Sequence, residues 1–122
     1  MWKPIYRRYL MKIAIPITNG VLSQHFGHCE EFALLDTNGD AKSIEGKSVV
    51  KAPPHEPGLL PAWLAEKEVN LIIAGGMGQR ARDLFEANSI GVVVGAPSDT
   101  AENLTAAYLD GRLESGDNAC DH

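Results

Sequence analysis

The sequence predicts a single α/β domain, in which a mixed and mostly parallel β-sheet carries one antiparallel hairpin strand and is flanked by helices. Two observations lead to this fold class. In the second half, short apolar runs alternate with helical patterns, which requires crossover connections between parallel strands. In the first half, two strand-like runs are joined by the turn sequence TNGD (37–40), which is typical of a hairpin. The length of 122 residues fits one domain.

Each element has its own signal. The first strand, KIAIPI, is short, apolar and rich in β-branched residues, and the polar run 18–29 after it predicts a long loop. VNLIIAG and IGVVVG are apolar almost throughout, as in central parallel strands. Prolines exclude regular structure at 51–58. Strands are predicted at 12–17, 30–36, 41–50, 69–75 and 90–95, and helices at about 59–68, 79–88 and 100–110.

The last helix has predicted boundaries at both ends. Asp99 and Glu102 stand at the spacing of a capping box, although serine or threonine is more usual at the first position. Gly111 is placed to end the helix.

The charge distribution restricts the partners. The chain carries 11 basic and 16 acidic residues, and Lys3, Arg7 and Arg8 lie in a first segment without any acid. Residues 11–122 alone therefore carry a net charge of −8, which opposes binding to nucleic acid. No apolar run approaches the ~20 residues of a membrane helix. Two cysteines without a secretion signal predict a cytoplasmic location, where thiols stay reduced.

These patterns divide the chain into three parts. Residues 1–10 are expected to be a disordered extension or an upstream start, or else a basic arm that docks on a partner. Residues 11–114 form the α/β domain. Residues 115–122 form a tail that ends in Cys-Asp-His.

Soft metal ligands concentrate at two places. The stretch SQHFGHCEEF holds His25, His28 and Cys29, and the tail holds Cys120 and His122. Imidazole and thiolate suit zinc, copper(I) and iron–sulfur species. A closed zinc site could form from these residues only if the tail folds back. Otherwise the histidines hold the loop by hydrogen bonds, Cys29 packs, and the tail is solvated.

A glycine-rich turn follows the strand 69–75. Gly76, Gly78 and Ala81 match the spacing of a dinucleotide-binding turn, yet no acid ends the next strand. The alternatives are a plain tight turn, or contact of the free helix amides with an anion or a cluster. Met77 is expected to be exposed and to line that site. Arg80 and Arg82 could add positive charge there, or lie on a solvated face.

In combination, MKIAIPITNG, SQHFGHCEEFALLD, VNLIIAGGMGQRARDLFEANSIGVVVGA and AYLDGRL are similar to the dinitrogenase iron–molybdenum cofactor biosynthesis family, of the NifX, NifB C-terminal domain and orange protein type. The resemblance covers nearly all of residues 11–122. It implies a ribonuclease H-like fold without the nuclease. It also implies a non-enzymatic carrier or scaffold for an iron–sulfur or molybdenum-containing cluster, working with donor and acceptor proteins as a monomer or weak homodimer.

The resemblance also implies site residues. The family's histidine corresponds to His25 in the HFG triplet with Phe26 and Gly27, and its turn corresponds to Gly75, Gly76 and Gly78 around Met77. The CDH ending gives some weight to Cys120 and His122. Two other functions remain open: a protein with a mononuclear zinc or transition-metal site, and a small nucleotide-dependent enzyme built on GMGQRA.

Overall fold

The computed structural model describes residues 10–23, 30–38, 42–53 and 58–113. The strands are β1 (Leu10–Thr18), β2 (Val21–Leu22), β3 (Glu31–Asn38), β4 (Ser43–Lys51), β5 (Leu71–Ile73) and β6 (Gly91–Val93). The helices are α1 (Leu59–Glu66), α2 (Gln79–Ala87) and α3 (Ala101–Leu109). Within these ranges, none of the helices has the length and apolar character needed to cross a membrane.

The strands form one mixed sheet in the order β4-β3-β1-β5-β6, with β2 paired to β1. β1 runs parallel to β5, and β5 runs parallel to β6. β3 is antiparallel to both β1 and β4, so it is the one strand along this path that runs against the others. The predicted sheet, mostly parallel in strand direction with an antiparallel hairpin strand, is confirmed. Its assignment to the ribonuclease H-like class stays a prediction.

Helices cover both faces of the sheet. One face packs under α3, where Ile13, Ile15 and Ile73 belong to a buried cluster with Leu104. The other face packs under α1 and α2, where Ile72 and Phe85 belong to a second buried cluster. Successive residues of β1 and β5 therefore enter opposite cores, which is why their sequences are apolar almost without interruption.

The structure corrects the predicted loop after β1. Val21 and Leu22 form a short strand that pairs with Thr18 and Ile17. The two residues between the strands, Asn19 and Gly20, have φ values of 57° and 84°. Positive φ at both central positions is the geometry of a type I′ hairpin turn, for which Asn-Gly is the preferred sequence. The loop predicted over 18–29 is therefore shorter, because its first residues form this hairpin.

The structure also corrects the start of α3. Thr100, not Asp99, is the N-cap residue, and its side chain accepts a hydrogen bond from the Asn103 amide at 3.2 Å. At the other end, Gly111 has φ of 73° and its N–H donates to the Tyr108 carbonyl at 3.0 Å. The Arg112 N–H donates to the Ala107 carbonyl at 2.8 Å, which completes a Schellman motif and confirms the predicted stop.

Removing the α3 cap should weaken the fold. We expect Thr100→Ala to lower the free energy of unfolding by about 1 kcal/mol, because it leaves an amide of the first turn without its side-chain acceptor. Urea denaturation measures the change. Thr100→Ser keeps the hydroxyl and should retain most of the stability, so equal losses in the two variants would argue against a capping role.

Asp99 makes the same helix start sensitive to pH. Its carboxylate accepts hydrogen bonds from the Asn103 side chain at 2.9 Å and from the Thr100 amide at 2.7 Å, and these hold the pKa of Asp99 below its usual value. Because the folded-state pKa is depressed, this contribution to stability is complete at neutral pH and is lost as the pH falls through that lowered pKa. In Asn103→Ala, an NMR titration should show a higher pKa for Asp99. An unchanged titration would remove Asn103 as the main cause.

Candidate functional site

The carboxyl ends of four strands gather at one edge of the sheet. β1, β4, β5 and β6 run in the same direction, so Thr18, Lys51, Ile73 and Val93 end at this edge, which we call the carboxyl edge. In open α/β sheets, ligands bind outside the carboxyl ends of the strands. The carboxyl edge is therefore where a binding site is expected.

The segment 24–29 is attached to this edge at both of its flanks. Before it, the Ser23 amide donates to the Pro16 carbonyl at 2.9 Å. After it, the Glu30 amide donates to the Ile17 carbonyl at 3.3 Å. Both acceptors belong to the last residues of β1, so the segment starts and ends beside the same strand end.

All of the predicted soft ligands lie outside the described residues. The segment itself holds His25, Phe26, Gly27, His28 and Cys29, and the tail holds Cys120 and His122. Within the described ranges, no group of three histidine, cysteine, aspartate or glutamate side chains could hold a metal ion. The described part of the edge alone therefore does not form a closed metal site.

The glycine-rich turn, residues 75–78, lies next to the end of β1. Ile13 pairs with Leu71 and Ala14 pairs with Ile72 in the parallel ladder. Extending this register by two residues brings Pro16 level with Ala74, the residue before the turn. Since Pro16 also accepts the hydrogen bond from Ser23, the turn and the first flank of segment 24–29 lie at neighbouring strand ends.

The glycines of this turn are not explained by left-handed backbone. Among described glycines, positive φ occurs at positions 20, 58, 95 and 111, none of which is in the turn. Gly75 and Gly76 are buried, and the Gly75 carbonyl accepts from the Gly95 amide at 2.9 Å. Gly78 is exposed with φ of −69° and ψ of 160°, and a Cβ there would meet nothing within 4 Å. Neither conformation nor packing requires glycine at position 78.

The N-terminus of α2 opens directly from Gly78. Arg82 N donates to the Gly78 carbonyl at 3.1 Å, so the amides of residues 79–81 precede the first intrahelical hydrogen bond. Among the described residues, no side chain is recorded as capping this end, and no acid lies in its first turn. α3 differs, because Thr100 caps it and Glu102 lies in its first turn. Within the described part of the chain, the start of α2 therefore has N–H groups outside the intrahelical hydrogen bonds and a positive helix end, both of which suit an anion.

The two arginines of α2 differ in exposure. Arg80 is exposed, whereas Arg82 is half-buried, and its Nε atom is buried without a hydrogen-bond partner among the described residues. Arg82 lies one helical turn after Gly78, so both occupy the same side of the helix. Positive charge beside the turn remains a prediction for both side chains.

Met77 is buried, contrary to the sequence-based prediction. Its side chain is 1% exposed and belongs to the core cluster under α1 and α2, with Phe85 and Ile90. The strand before the turn is buried in this core, and the Met77 side chain packs in the same core before α2 begins. Met77 therefore anchors the turn to this core and does not line the surface of the site.

Comparisons with known proteins agree with this architecture. Residues 10–111 match the model of the family described as dinitrogenase iron-molybdenum cofactor. An uncharacterized protein of Methanocaldococcus jannaschii, MJ0580, is 36% identical over 108 residues, which are 86% of this chain and 91% of that protein.

Two solved structures resemble the fold closely. The crystal structure of PH0822 superposes with a TM-score of 0.79 at 28% identity, over 86% of this chain and 94% of that one. The apo form of the orange protein from Desulfovibrio gigas gives a TM-score of 0.65 over 88% and 94% of the two chains, and at 19% identity it shows the fold alone. From the family match and the identity to MJ0580, the chain belongs to the dinitrogenase iron–molybdenum cofactor family and is related to proteins of that cofactor's biosynthesis.

Proposed function

We propose that this protein is a small cytoplasmic carrier or scaffold that binds an iron–sulfur or molybdenum-containing metal–sulfur cluster as cargo and does not catalyse a reaction. The observation that supports the site most strongly is the meeting of two features at the carboxyl edge. The flanks of segment 24–29 hydrogen-bond to the end of β1, and the glycine-rich turn follows the neighbouring strand.

The chemistry of the edge suits an anionic cargo. Free amides at the start of α2 can donate to sulfide or thiolate ligands of a cluster, and the helix dipole favours negative charge there. These contacts are numerous and individually weak, so most of the cargo's own bonds stay intact. A carrier must release its cargo, which favours one or two protein ligands over a closed cage.

Segment 24–29 would supply those ligands in this proposal. His25 is the first candidate, with Phe26 and Gly27 beside it, and His28 and Cys29 are further candidates. Imidazole and thiolate are both suitable for iron and other soft metals. Donor and acceptor proteins would deliver and remove the cluster at the same open edge.

The tail offers a competing arrangement, a mononuclear zinc site that uses Cys120 and His122. Thr100 forms a β-bridge with Val21 at the carboxyl edge, and α3 then extends about 14 Å away from it. Cys120 follows Leu113 by seven positions in the chain, a separation that spans at most about 25 Å. The tail can therefore reach the edge, and the metal content must separate the two functions.

Anaerobic loading of the full chain tests the proposal. The protein is offered iron with sulfide, tetrathiomolybdate, copper or zinc in separate samples, and then undergoes gel filtration, elemental analysis and visible spectroscopy. We expect a coloured protein that contains iron or molybdenum with sulfide. One colourless zinc per chain, with a large fall in melting temperature on chelation, would instead support the structural metal site. No bound metal in any sample would refute both.

Gly78→Ala tests the contribution of the open turn. Because its backbone is extended and a Cβ there would meet nothing within 4 Å, the change should lower the free energy of unfolding by no more than about 1 kcal/mol. The added methyl group would partly cover the α2 amides, so retention of cargo should fall. Gly20 is also exposed but has φ of 84°, so Gly78 is the better glycine for this test. Full retention of cargo in Gly78→Ala would argue against contact at this position.

A further inference from the structure

A second surface feature lies at the opposite edge of the sheet. There, a groove of about 780 Å³ is bounded by the start of β1, the end of β3 and the connections that follow α1 and α2. We call it the amino-edge groove, and its charged and polar lining includes Lys12, Asp36, Glu45, Glu68, Asn70 and Ser89. It is separate from the carboxyl edge, so it is not part of the proposed cargo site.

The lining is acidic. Asp36, Glu45 and Glu68 carry three negative charges against the single positive charge of Lys12, and all three carboxylate residues are exposed. Lys12 Nζ lies 3.8 Å from Asp36 Oδ1, a distance too long for a strong ion pair. The Asp36 side chain remains 62% exposed, so its carboxylate is accessible to another cation.

Two helix ends add to this negative character. α1 and α2 both end at the groove, where Glu68 and Ser89 follow them with φ values of 64° and 63°. Neither helix has a basic residue in its last turn. The Lys67 ammonium, which follows α1, lies over the Trp63 ring at 4.9 Å. The negative ends of both helix dipoles therefore lack basic partners within their own last turns.

A basic segment of the same chain precedes this groove directly. Residues 1–9 contain Lys3, Arg7 and Arg8 and no acid, and β1 begins at Leu10. Met11, the next residue, already lines the groove. Chain geometry limits the Cα atom of Arg8 to about 11 Å from that of Met11, and Arg7 to about 14 Å.

We propose that the basic segment 1–9 docks in the amino-edge groove, with Lys3, Arg7 and Arg8 facing the carboxylates of Asp36, Glu45 and Glu68. Guanidinium groups suit this surface because they bind carboxylates through paired hydrogen bonds and can also bond helix-terminal carbonyls. The covalent connection gives the segment a local concentration in the millimolar range, so contacts too weak for a free peptide suffice here.

The floor of the groove is built to stay in place while the segment docks. The Asn70 side-chain oxygen accepts a hydrogen bond from the Lys12 backbone N–H at 2.8 Å. The Asn70 backbone N–H in turn donates to the Lys12 backbone carbonyl at 2.9 Å. The Asn70 carbonyl accepts from the Gly91 amide at 2.9 Å. These bonds join the starts of β1, β5 and β6 and fix the strands that form the floor of the groove.

Trp2 provides a reporter within the segment. In a full chain with Trp63→Phe, Trp2 is the remaining tryptophan, and phenylalanine keeps an aromatic ring against Phe32. We expect Trp2 to emit at shorter wavelength, and to be quenched less by acrylamide, than in a synthetic peptide of residues 1–10. High salt should abolish the difference because exposed charge pairs are screened.

Matched charge variants decide where the segment docks. Asp36→Asn with Glu68→Gln should remove the Trp2 shift, whereas Glu30→Gln with Glu31→Gln removes two exposed carboxylates near the carboxyl edge and should leave it unchanged. Trp2 emission equal to that of the peptide, or a shift that survives the groove substitutions, would overturn the proposal. In one further case, Trp2 of the full chain emits like the free peptide, yet added peptide 1–10 binds to the chain saturably. That result would overturn docking of the chain's own segment and assign the groove to a basic segment of another protein.

A second measurement uses the unsubstituted chain, in case Trp63→Phe does not fold. Carbodiimide coupling joins amines to carboxylates that are in direct contact, and mass spectrometry locates the joined residues. Coupling of Lys3 to Asp36, Glu45 or Glu68, suppressed by high salt, would support docking in the groove. Coupling of Lys3 only to carboxylates elsewhere, or no coupling at all, would contradict it.

Discussion

Phe85→Ala is expected to lower the free energy of unfolding by about 3–5 kcal/mol, the usual cost of truncating a buried phenylalanine. Phe85 is 0% exposed and belongs to the core cluster between the sheet and the helices α1 and α2. Domains of this kind are stable by only about 5–15 kcal/mol in total. The substitution should therefore remove about a fifth or more of that stability, and the midpoint of urea denaturation should fall accordingly.

Val49→Ala is the control for this prediction. Val49 lies on the outer strand β4 and is 44% exposed, so its truncation should change the free energy of unfolding by no more than about 0.5 kcal/mol. A similar loss in both variants would show that the cluster around Phe85 does not form the main core. A loss below about 1 kcal/mol in Phe85→Ala would contradict the close packing of α2 on the sheet.

The second large effect concerns cargo. In His25→Ala we expect retention of the metal–sulfur cluster to fall by at least ~10–100-fold. Loss of a residue that only hydrogen-bonds to a metal ligand already lowers metal affinity by about that factor, and His25 is proposed as a ligand itself. The reason is chemical, because alanine removes a nitrogen donor from the segment proposed to hold the cargo. Anaerobic loading, gel filtration and elemental analysis give the metal-to-chain ratio for the variant and the unsubstituted protein.

His55→Ala is the matched control for His25→Ala. It removes the same side chain from a proline-rich connection that the proposal does not assign to the site. Cargo retention should be unchanged in His55→Ala, and the melting temperatures of both unloaded variants should be close to that of the unsubstituted chain. Equal loss of cargo in the two variants would indicate nonspecific metal binding, and full retention in His25→Ala would exclude this histidine as a required ligand.

The sheet was predictable because a short, continuous apolar run indicates a strand that is buried on both faces. The runs that became β1 and β5 are apolar on both faces, and the structure places their alternate residues, such as Ile13 and Ala14, in different clusters. The hairpin Asn19-Gly20 was missed although its dipeptide is a strong signal, because the polar residues around it suggested one continuous loop. The N-cap of α3 was shifted by one residue, since Asp99 and Thr100 are both able to cap.

The candidate site was only partly accessible from the sequence. The turn 75–78 could be found because glycines between an apolar strand and a helix have a known geometry. The burial of Met77 could not, because the direction of a side chain in an irregular turn depends on the tertiary fold. The amino-edge groove also had no sequence signal, since Asp36, Glu45 and Glu68 come from separate parts of the chain. The roles of His25, His28, Cys29, Cys120 and His122 stay predictions.

Locating the bound cargo on the fold shows directly whether the carboxyl edge is the binding site. Amide ¹H–¹⁵N NMR spectra of the full chain, recorded anaerobically before and after loading, report on both edges of the sheet at once. We predict that the signals of Gly75, Gly76 and Gly78 shift or broaden, while those of Glu68 and Ser89 at the opposite edge stay in place. Changes confined to Glu68 and Ser89, with the turn unaffected, would contradict a cargo site at the carboxyl edge.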